Sequence, residues 1–392
     1  VKILAILPRF PYPVDKGDKL RAFHHIQYLA KHHEVSVFAL SDEPVCDESL
    51  GVLKSFCHNV IVFPLSKAGI FSRLPLNAFS NIPFQTAWHF DTGAEKLLLA
   101  EIEKIKPDVL FYQLVRTAEF AKNIHLPKVL DLQDPMSENI RLRMNKEPLW
   151  KRQVFKMEYK RLLSYETEVA KRFDEICIIS ERDRKDLPEA AKIKAKIVSN
   201  GIDTEYYRPQ LNITKTVDLV FVGSMSYVPN IEAARFLVKD ILPELVKLGI
   251  RATVSIVGAN PSAEVKSLAG ENIRVTGRVT DTRTYYAQSR VMVAPMFINT
   301  GIQNKILEAA AMGLPVVTTP QANEPIGAEA GKELLLASTA EEFAKQIALL
   351  LNNEAVAQTI AKAGHEFILS KFTWEACGKQ LEDLLQSAIT KH

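Results

Sequence analysis

VMVAPMFINTGIQNKILEAAAMGLPVVTTP, residues 291–320, reads as strand, glycine turn, helix, glycine, strand. Asn304 is placed to cap the helix, Ile306, Leu307 and the run from Ala309 to Met312 favour it, and Gly313 with Pro315 ends it. One carboxylate, Glu308, stands inside this otherwise apolar helix. Burying it there is costly unless something donates hydrogen bonds to it, and the cis-diol of a ribose offers two donors. The preceding turn, Thr300-Gly301-Ile302, would aim backbone amides at the start of the same helix, where the helix dipole favours an anion such as a diphosphate. Ribose beside diphosphate means a nucleotide-sugar. The plainer alternative leaves Glu308 on the wet face of an amphipathic helix, where most glutamates lie.

The same alternation runs outward through the chain. Strands are expected at 2–7, 35–40, 60–63, 109–112, 128–132 and 175–179, and then at 217–222, 252–257, 272–276, 290–294, 316–318 and 333–336. Nearly all are continuous apolar runs, the signature of strands covered on both faces. Alternation with helix-length segments implies an α/β chain with two parallel, doubly wound sheets. The turn-rich stretch Ser199-Asn200-Gly201-Ile202-Asp203 separates the halves. A boundary near residue 196 gives expected domains at 1–195 and 196–370, followed by a helical segment at 371–392. Two such domains facing each other would form a cleft lined by the carboxyl ends of strands, where open α/β sheets bind ligands.

Composition narrows what that cleft holds. An apolar fraction of 47% and a charged fraction of 24% are those of a soluble globular chain rather than a disordered one. A net charge of +3 is too small to argue for nucleic acid. Cys46, Cys57, Cys177 and Cys377 are scattered without C-x-x-C spacing, which suits reduced thiols in the cytoplasm and neither zinc nor disulfides. No apolar run is long enough to span a bilayer, and VKILAILPRFPYP at the start lacks a signal-peptide pattern. The absence of G-x-G argues against a dinucleotide fold, and the absence of G-x-x-x-x-G-K-[ST] against a P-loop. No D-x-D occurs, so a diphosphate held through a metal is not expected, and the protein must neutralise it with its own amides and cations. Neither a cofactor nor a metal is therefore anticipated.

Six segments in order carry a resemblance across essentially the whole chain. They are PRFPYPVDKGDKLRAFHHIQYL (8–29), VLDLQDPMSENIR (129–141), VSNGIDTEYYRP (198–209), FVGSMSYVPNIEAARFL (221–237), VTGRVTDTRTYYAQSRVMVAP (275–295) and TGIQNKILEAAAMGLPVVTT (300–319). With these the chain resembles the family 4 glycosyltransferases of the GT-B fold, retaining enzymes with nucleotide-sugar donors, and more narrowly bacterial exopolysaccharide-associated sugar transferases. The resemblance implies that Glu308, as the second Glu of an E-x7-E pattern, holds the donor ribose. It implies that Gly301 and Ile302 present amides to sugar and phosphate, that Gly277, Arg278 and Val279 lie against the nucleobase, and that Gly17 belongs to a glycine loop closing over phosphates and acceptor. The C-terminal segment opening at Phe372-Thr373-Trp374-Glu375 is expected to cross back onto the first domain.

Two departures from the family pattern matter. Thr300 stands where the first Glu is expected, and the loop Gly223-Ser224-Met225-Ser226 lacks the usual Arg and Lys that neutralise the diphosphate. Lys305, one turn before Glu308, is the candidate substitute, with Arg278, Lys16 and Lys19 in reserve. The resemblance further implies front-face displacement, in which the leaving diphosphate helps deprotonate the acceptor and cations stabilise the charge that builds on it. Asp134 is the side chain expected to orient the acceptor or steady positive charge on the sugar ring, its alternative role being a turn former before Pro135. Asp131 reads as structural, and His24 and His25 as packing or surface residues.

Residues 141–161 hold eight Arg or Lys against two Glu, and Arg152, Lys156 and Lys160 share one helical stripe with Trp150, Val154, Phe155 and Met157 interleaved. Such a stripe suits either an ordinary solvated face or peripheral contact with anionic lipid, where a polyprenyl-linked acceptor would be found. The segment 67–88 adds Phe71, Phe79, Phe84 and Trp88. The expected function is thus a retaining, metal-independent transferase acting on a glycan or lipid-linked acceptor. Its rivals are a catalytically silent GT-B domain that binds a nucleotide-sugar or a partner as a scaffold, and a nucleotide-sugar 2-epimerase.

Overall fold

The computed structural model describes residues 1–66, 80–144, 148–210, 212–298 and 301–392. Two compact units result: Val1–Gly201 together with Trp374–His392, and Ile202–Thr373.

The first unit is built on strands β1 (Lys2–Leu7), β2 (Glu34–Ser41), β3 (Asn59–Pro64), β4 (Val109–Gln113), β5 (Lys128–Gln133), β6 (Glu175–Ile178) and β7 (Ala195–Ile197), all parallel, in the order β3-β2-β1-β4-β5-β6-β7. Side chains alternate between two cores. Leu4, Ile6, Phe38, Leu110, Tyr112 and Leu130 enter one, and Ile3, Ala5, Val35, Val37, Phe111 and Val129 enter the other. Each fully buried Leu, Ile or Phe contributes roughly 1.5–3 kcal/mol, so the continuous apolar runs are what two covered faces require. Strand order reverses between β1 and β4, which marks a crevice at the carboxyl ends of these strands.

Two boundaries differ from expectation. The break falls after Gly201 rather than at 196, because Ala195–Ile197 is the seventh strand of the first sheet. That strand is three residues long with Lys196 at its centre, the build of a protected edge, so it carries no apolar run to read. At the other end the Glu354–Lys371 helix belongs to the second unit, and the helix Trp374–Lys391 packs Leu381, Leu384, Leu385 and Ala388 into the first unit's core.

Asp131 is fully buried in β5 and ion-paired with Arg21 of the Gly17–Ala30 helix, which is equally buried. Arg21 Nε and one terminal nitrogen donate to the two carboxylate oxygens at 2.7 and 3.1 Å, and the other terminal nitrogen donates to Ser199 O and Asn200 Oδ1. A second buried carboxylate joins two further helices. Glu166 of the Leu149–Arg172 helix accepts from the backbone N–H and the hydroxyl of Ser137, in the Met136–Met144 helix, at 3.1 and 2.6 Å. Burial pushes the Glu166 carboxyl up to about 7, against the pull of these bonds.

Because that value lies above the unfolded one, the protonated form is preferred on folding. Its stabilisation is complete below the unfolded pKa and is lost as pH rises through about 7. Glu166→Gln is therefore expected to gain on the order of 2–3 kcal/mol over wild type at pH 8, a gain that fades towards pH 4. Thermal melts across that range check it, and a pH-independent difference would refute the assignment.

The second unit has β8 (Val217–Val222), β9 (Val254–Val257), β10 (Ile273–Val275), β11 (Ser289–Ala294), β12 (Val316–Thr318) and β13 (Leu335–Leu336), parallel in the order β10-β9-β8-β11-β12-β13 around one apolar core. Three strands are shorter than their apolar runs. The cause at β9 is plain: Thr253 bonds the Asp218 carboxylate through both its N–H and its hydroxyl, which replaces ladder bonds with a side-chain clasp.

Candidate functional site

In the second unit the loops at the carboxyl ends of β8, β9 and β10 are stitched together. Gly223 N–H donates to Val257 O, Met225 N–H to Ala259 O, and Gly258 N–H to Gly277 O. A Cβ on Gly258 would lie 1.7 Å from Gly223 O, so only glycine lets these two backbones meet. Gly277 and Gly301 both adopt positive φ, 72° and 69°. Gly301 closes the turn that delivers the chain to the helix Asn304–Ala311.

That helix starts one residue earlier than its capping was expected. Gln303 holds the cap position without a side-chain cap bond, because its Oε1 accepts instead from Lys305 Nζ at 3.2 Å. Lys305 is not a solvated surface lysine. Its Nζ also donates to Asn230 Oδ1 at 2.6 Å, meets Met296 Sδ at 3.6 Å and lies 5.2 Å from the centre of the Phe221 ring. Asn230 in turn donates through Nδ2 to Ser224 O at 2.9 Å. The loop without basic residues is therefore connected to the Lys305 ammonium through one amide. Burial lowers the Lys305 pKa to about 8, with the Glu308 charge pulling the other way.

Glu308 is partly buried, and its Oε2 accepts the Tyr286 hydroxyl at 2.8 Å. Burial raises its pKa, opposed by the hydroxyls of Tyr286 and Tyr207 and by the Lys305 charge. Ser224 is exposed, its hydroxyl 3.2 Å from that of Ser226. Arg278 is exposed, whereas Val279 and Ile302 pack against the core. Thr300 lies outside the described residues.

In the first unit, Gly17 and Asp134 line one recess of about 470 Å³ with Arg9, Arg116, Gln133 and Asn139 among its walls. Lys16 precedes the Gly17–Ala30 helix and lines a different, smaller hollow beside Lys19, which pairs with Asp15 at 3.0 Å. The surroundings crowd the Asp134 carboxyl although the residue reaches solvent. That desolvation pushes its pKa up, with Asp183 adding to it and a bond to Asn139 and the Arg116 charge opposing it. His24 stacks on Trp374 at 4.3 Å, and His25 is buried with neither ring nitrogen hydrogen-bonded, so both are packing residues.

Residues 216–353 match the family model described as glycosyl transferases group 1. That stretch is similar to the group 1 family, and the chain has a GT-B fold. Among solved structures it is similar to HepE of Anabaena in complex with UDP (16% identity, 99% of this chain and 100% of that one, TM-score 0.66). It is likewise similar to sucrose-phosphate synthase of Thermosynechococcus elongatus (14% identity, 100% of both chains, TM-score 0.66). An uncharacterized 44.6 kDa protein in the cps region of Klebsiella pneumoniae is 21% identical over 392 residues, 95% of this chain and 96% of that protein.

The sequence reading singles out Lys305 and Glu308 but not Asn230, Tyr286 and Tyr207, which hydrogen-bond to them. Asn230 is 75 residues from Lys305 and Tyr286 is 22 from Glu308, so no local spacing announces either contact. The available signals were the paired tyrosines Tyr206-Tyr207 and Tyr285-Tyr286, the latter shortly ahead of β11.

Proposed function

We propose that this chain is a retaining, metal-independent glycosyltransferase that moves a sugar from a nucleotide-diphosphate-sugar to a glycan or polyprenyl-linked acceptor in surface polysaccharide synthesis. The observation that carries the reading is the pair Lys305 and Glu308, a partly buried cation and carboxylate one helical turn apart, beside glycine loops at strand ends. The cation answers a diphosphate and the carboxylate a ribose diol. In transfer, Lys305 stabilises charge building on the leaving diphosphate, which takes the acceptor proton, while Asp134 orients the acceptor hydroxyl. The UDP named in the HepE structure and the cps region of the K. pneumoniae relative support donor class and setting.

Among the described residues no helix is long and apolar enough to cross a membrane. Arg152, Lys156 and Lys160 are exposed on the Leu149–Arg172 helix with Val154 and Met157, a face suited to peripheral contact with anionic lipid.

Calorimetric titration of UDP, GDP and dTDP without metal tests the donor assignment. One nucleotide should bind at micromolar Kd and weaken about 10- to 100-fold in Glu308→Ala, the loss expected for hydrogen bonds to a charged group. Failure of all three to bind would turn the reading to a silent scaffold.

A further inference from the structure

Arg116 is the unexplained charge of the first unit. It projects from the 3-10 turn Val115–Ala121 and is partly withdrawn from water. Its hydrogen-bond partner is neutral: Nε and one terminal nitrogen share Gln85 Oε1 at 3.3 and 3.0 Å, while the Asp18 and Asp134 carboxylates, which line the same recess, act on its charge without reaching ion-pair distance. A desolvated guanidinium without a directly paired carboxylate is costly to keep.

A second unmet group lines the same recess. Gln133 is 7% exposed, and its Nε2 has no hydrogen-bond partner. The backbone beneath both is strained, since Leu114 and Gln133, at the carboxyl ends of β4 and β5, have φ of 61° and 63°. Non-glycine residues held there cost about 1–3 kcal/mol each and cluster where a ligand is gripped. Arg9, Gln85 and Arg116 are shared with a neighbouring, mostly apolar recess of about 430 Å³ walled by Phe84 and Trp88. Unsatisfied donors thus stand beside an aromatic shelf.

We propose that the acceptor is anionic, with a carboxylate or phosphate received by Arg116 and Gln133 while a sugar ring or prenyl chain lies on Phe84 and Trp88. This names the acceptor class within the transferase reading and rests on it for the word acceptor, but its binding test needs no nucleotide. The oxyanion has two chemical sources, an acidic sugar or the diphosphate that joins a glycan to its lipid.

Calorimetry on the full chain uses a glucuronate-terminated disaccharide, geranyl diphosphate and neutral cellobiose, with wild type, Arg116→Gln and Arg116→Lys. One anionic probe should bind, and which one does identifies the source. Cellobiose should bind at least tenfold more weakly, binding should weaken with salt, and Arg116→Gln should lose at least tenfold while Arg116→Lys loses less. Because no carboxylate pairs directly with the charge, Arg116→Gln should melt no lower than wild type. Failure of both anionic probes, equal binding of cellobiose, unchanged binding in Arg116→Gln, or a lowered melting temperature there would each overturn the proposal. Nucleotide binding at Glu308 is scored separately, so either result can fail alone.

Discussion

Lys305→Met should lose about 100- to 1,000-fold in turnover, the usual cost of removing one electrostatic contact to charge that develops in a transition state. The same substitution should leave the fold intact or firmer. Lys305 has its pKa lowered to about 8 by burial, from an ordinary 10.5. The folded state therefore binds fewer protons than the unfolded chain between those values. The penalty is complete below pH 8 and disappears as pH rises towards 10.5, amounting to roughly 2–3 kcal/mol at pH 7. Methionine has a similar length and no charge to desolvate. It leaves Asn230 Oδ1 without the Lys305 donor, which takes back about 1–3 kcal/mol, so stability should stay level or rise slightly.

A diphosphate beside Lys305 would restore the charge, so binding above pH 8 should take up a proton and weaken as pH rises further. Calorimetry in two buffers of different ionisation enthalpy reads that uptake directly. The three tryptophans, Trp88, Trp150 and Trp374, all fall in the first unit, so circular dichroism is the better probe of stability for this variant. If activity and stability fell together, Lys305 would be a structural lysine and the donor assignment would lose its cation.

What was legible follows from where the information sits. β1, β8 and β12 match their expected limits to the residue, because a strand buried on both faces writes itself as a mostly apolar run. That Lys305 and Glu308 would be drawn out of water was legible for a related reason: charges in an apolar helix have few places to go. β7 was not, being a short charged edge. Arg116 and Gln133 were not either. Each is an ordinary polar residue in sequence, and only folding shows that one is partly withdrawn from water and the other has no acceptor. The link between Lys305 and the Ser224 loop was hidden by the 75 residues separating Lys305 from Asn230.

The largest loss of stability should come from Asp131→Asn. Arg21 and Asp131 are both completely buried, and the substitution leaves a guanidinium in the core facing a neutral amide. Removing one partner of such a pair costs about 3–5 kcal/mol, against a total of about 5–15 for a typical domain. Tryptophan fluorescence during urea unfolding isolates the effect, since every tryptophan reports on the unit that contains the pair. The double variant Arg21→Met/Asp131→Leu separates charge from shape. It removes both ions, so it should recover much of the loss, although Ser199 O and Asn200 Oδ1 forfeit the Arg21 donor. If the double variant were as unstable as Asp131→Asn, packing and lost hydrogen bonds would dominate rather than the unpaired charge.

The pair also reaches the recess. Asp131 Oδ1 accepts from Gln133 N–H at 3.2 Å, holding the residue whose φ is 63°, and Arg21 anchors the helix that begins at Gly17. Anionic acceptor probes should therefore bind more weakly to the double variant even where its stability returns. Recovery of stability without recovery of binding would identify the buried ion pair as what positions Gln133 and Gly17, a role that an apolar replacement can fill for folding but not for the site.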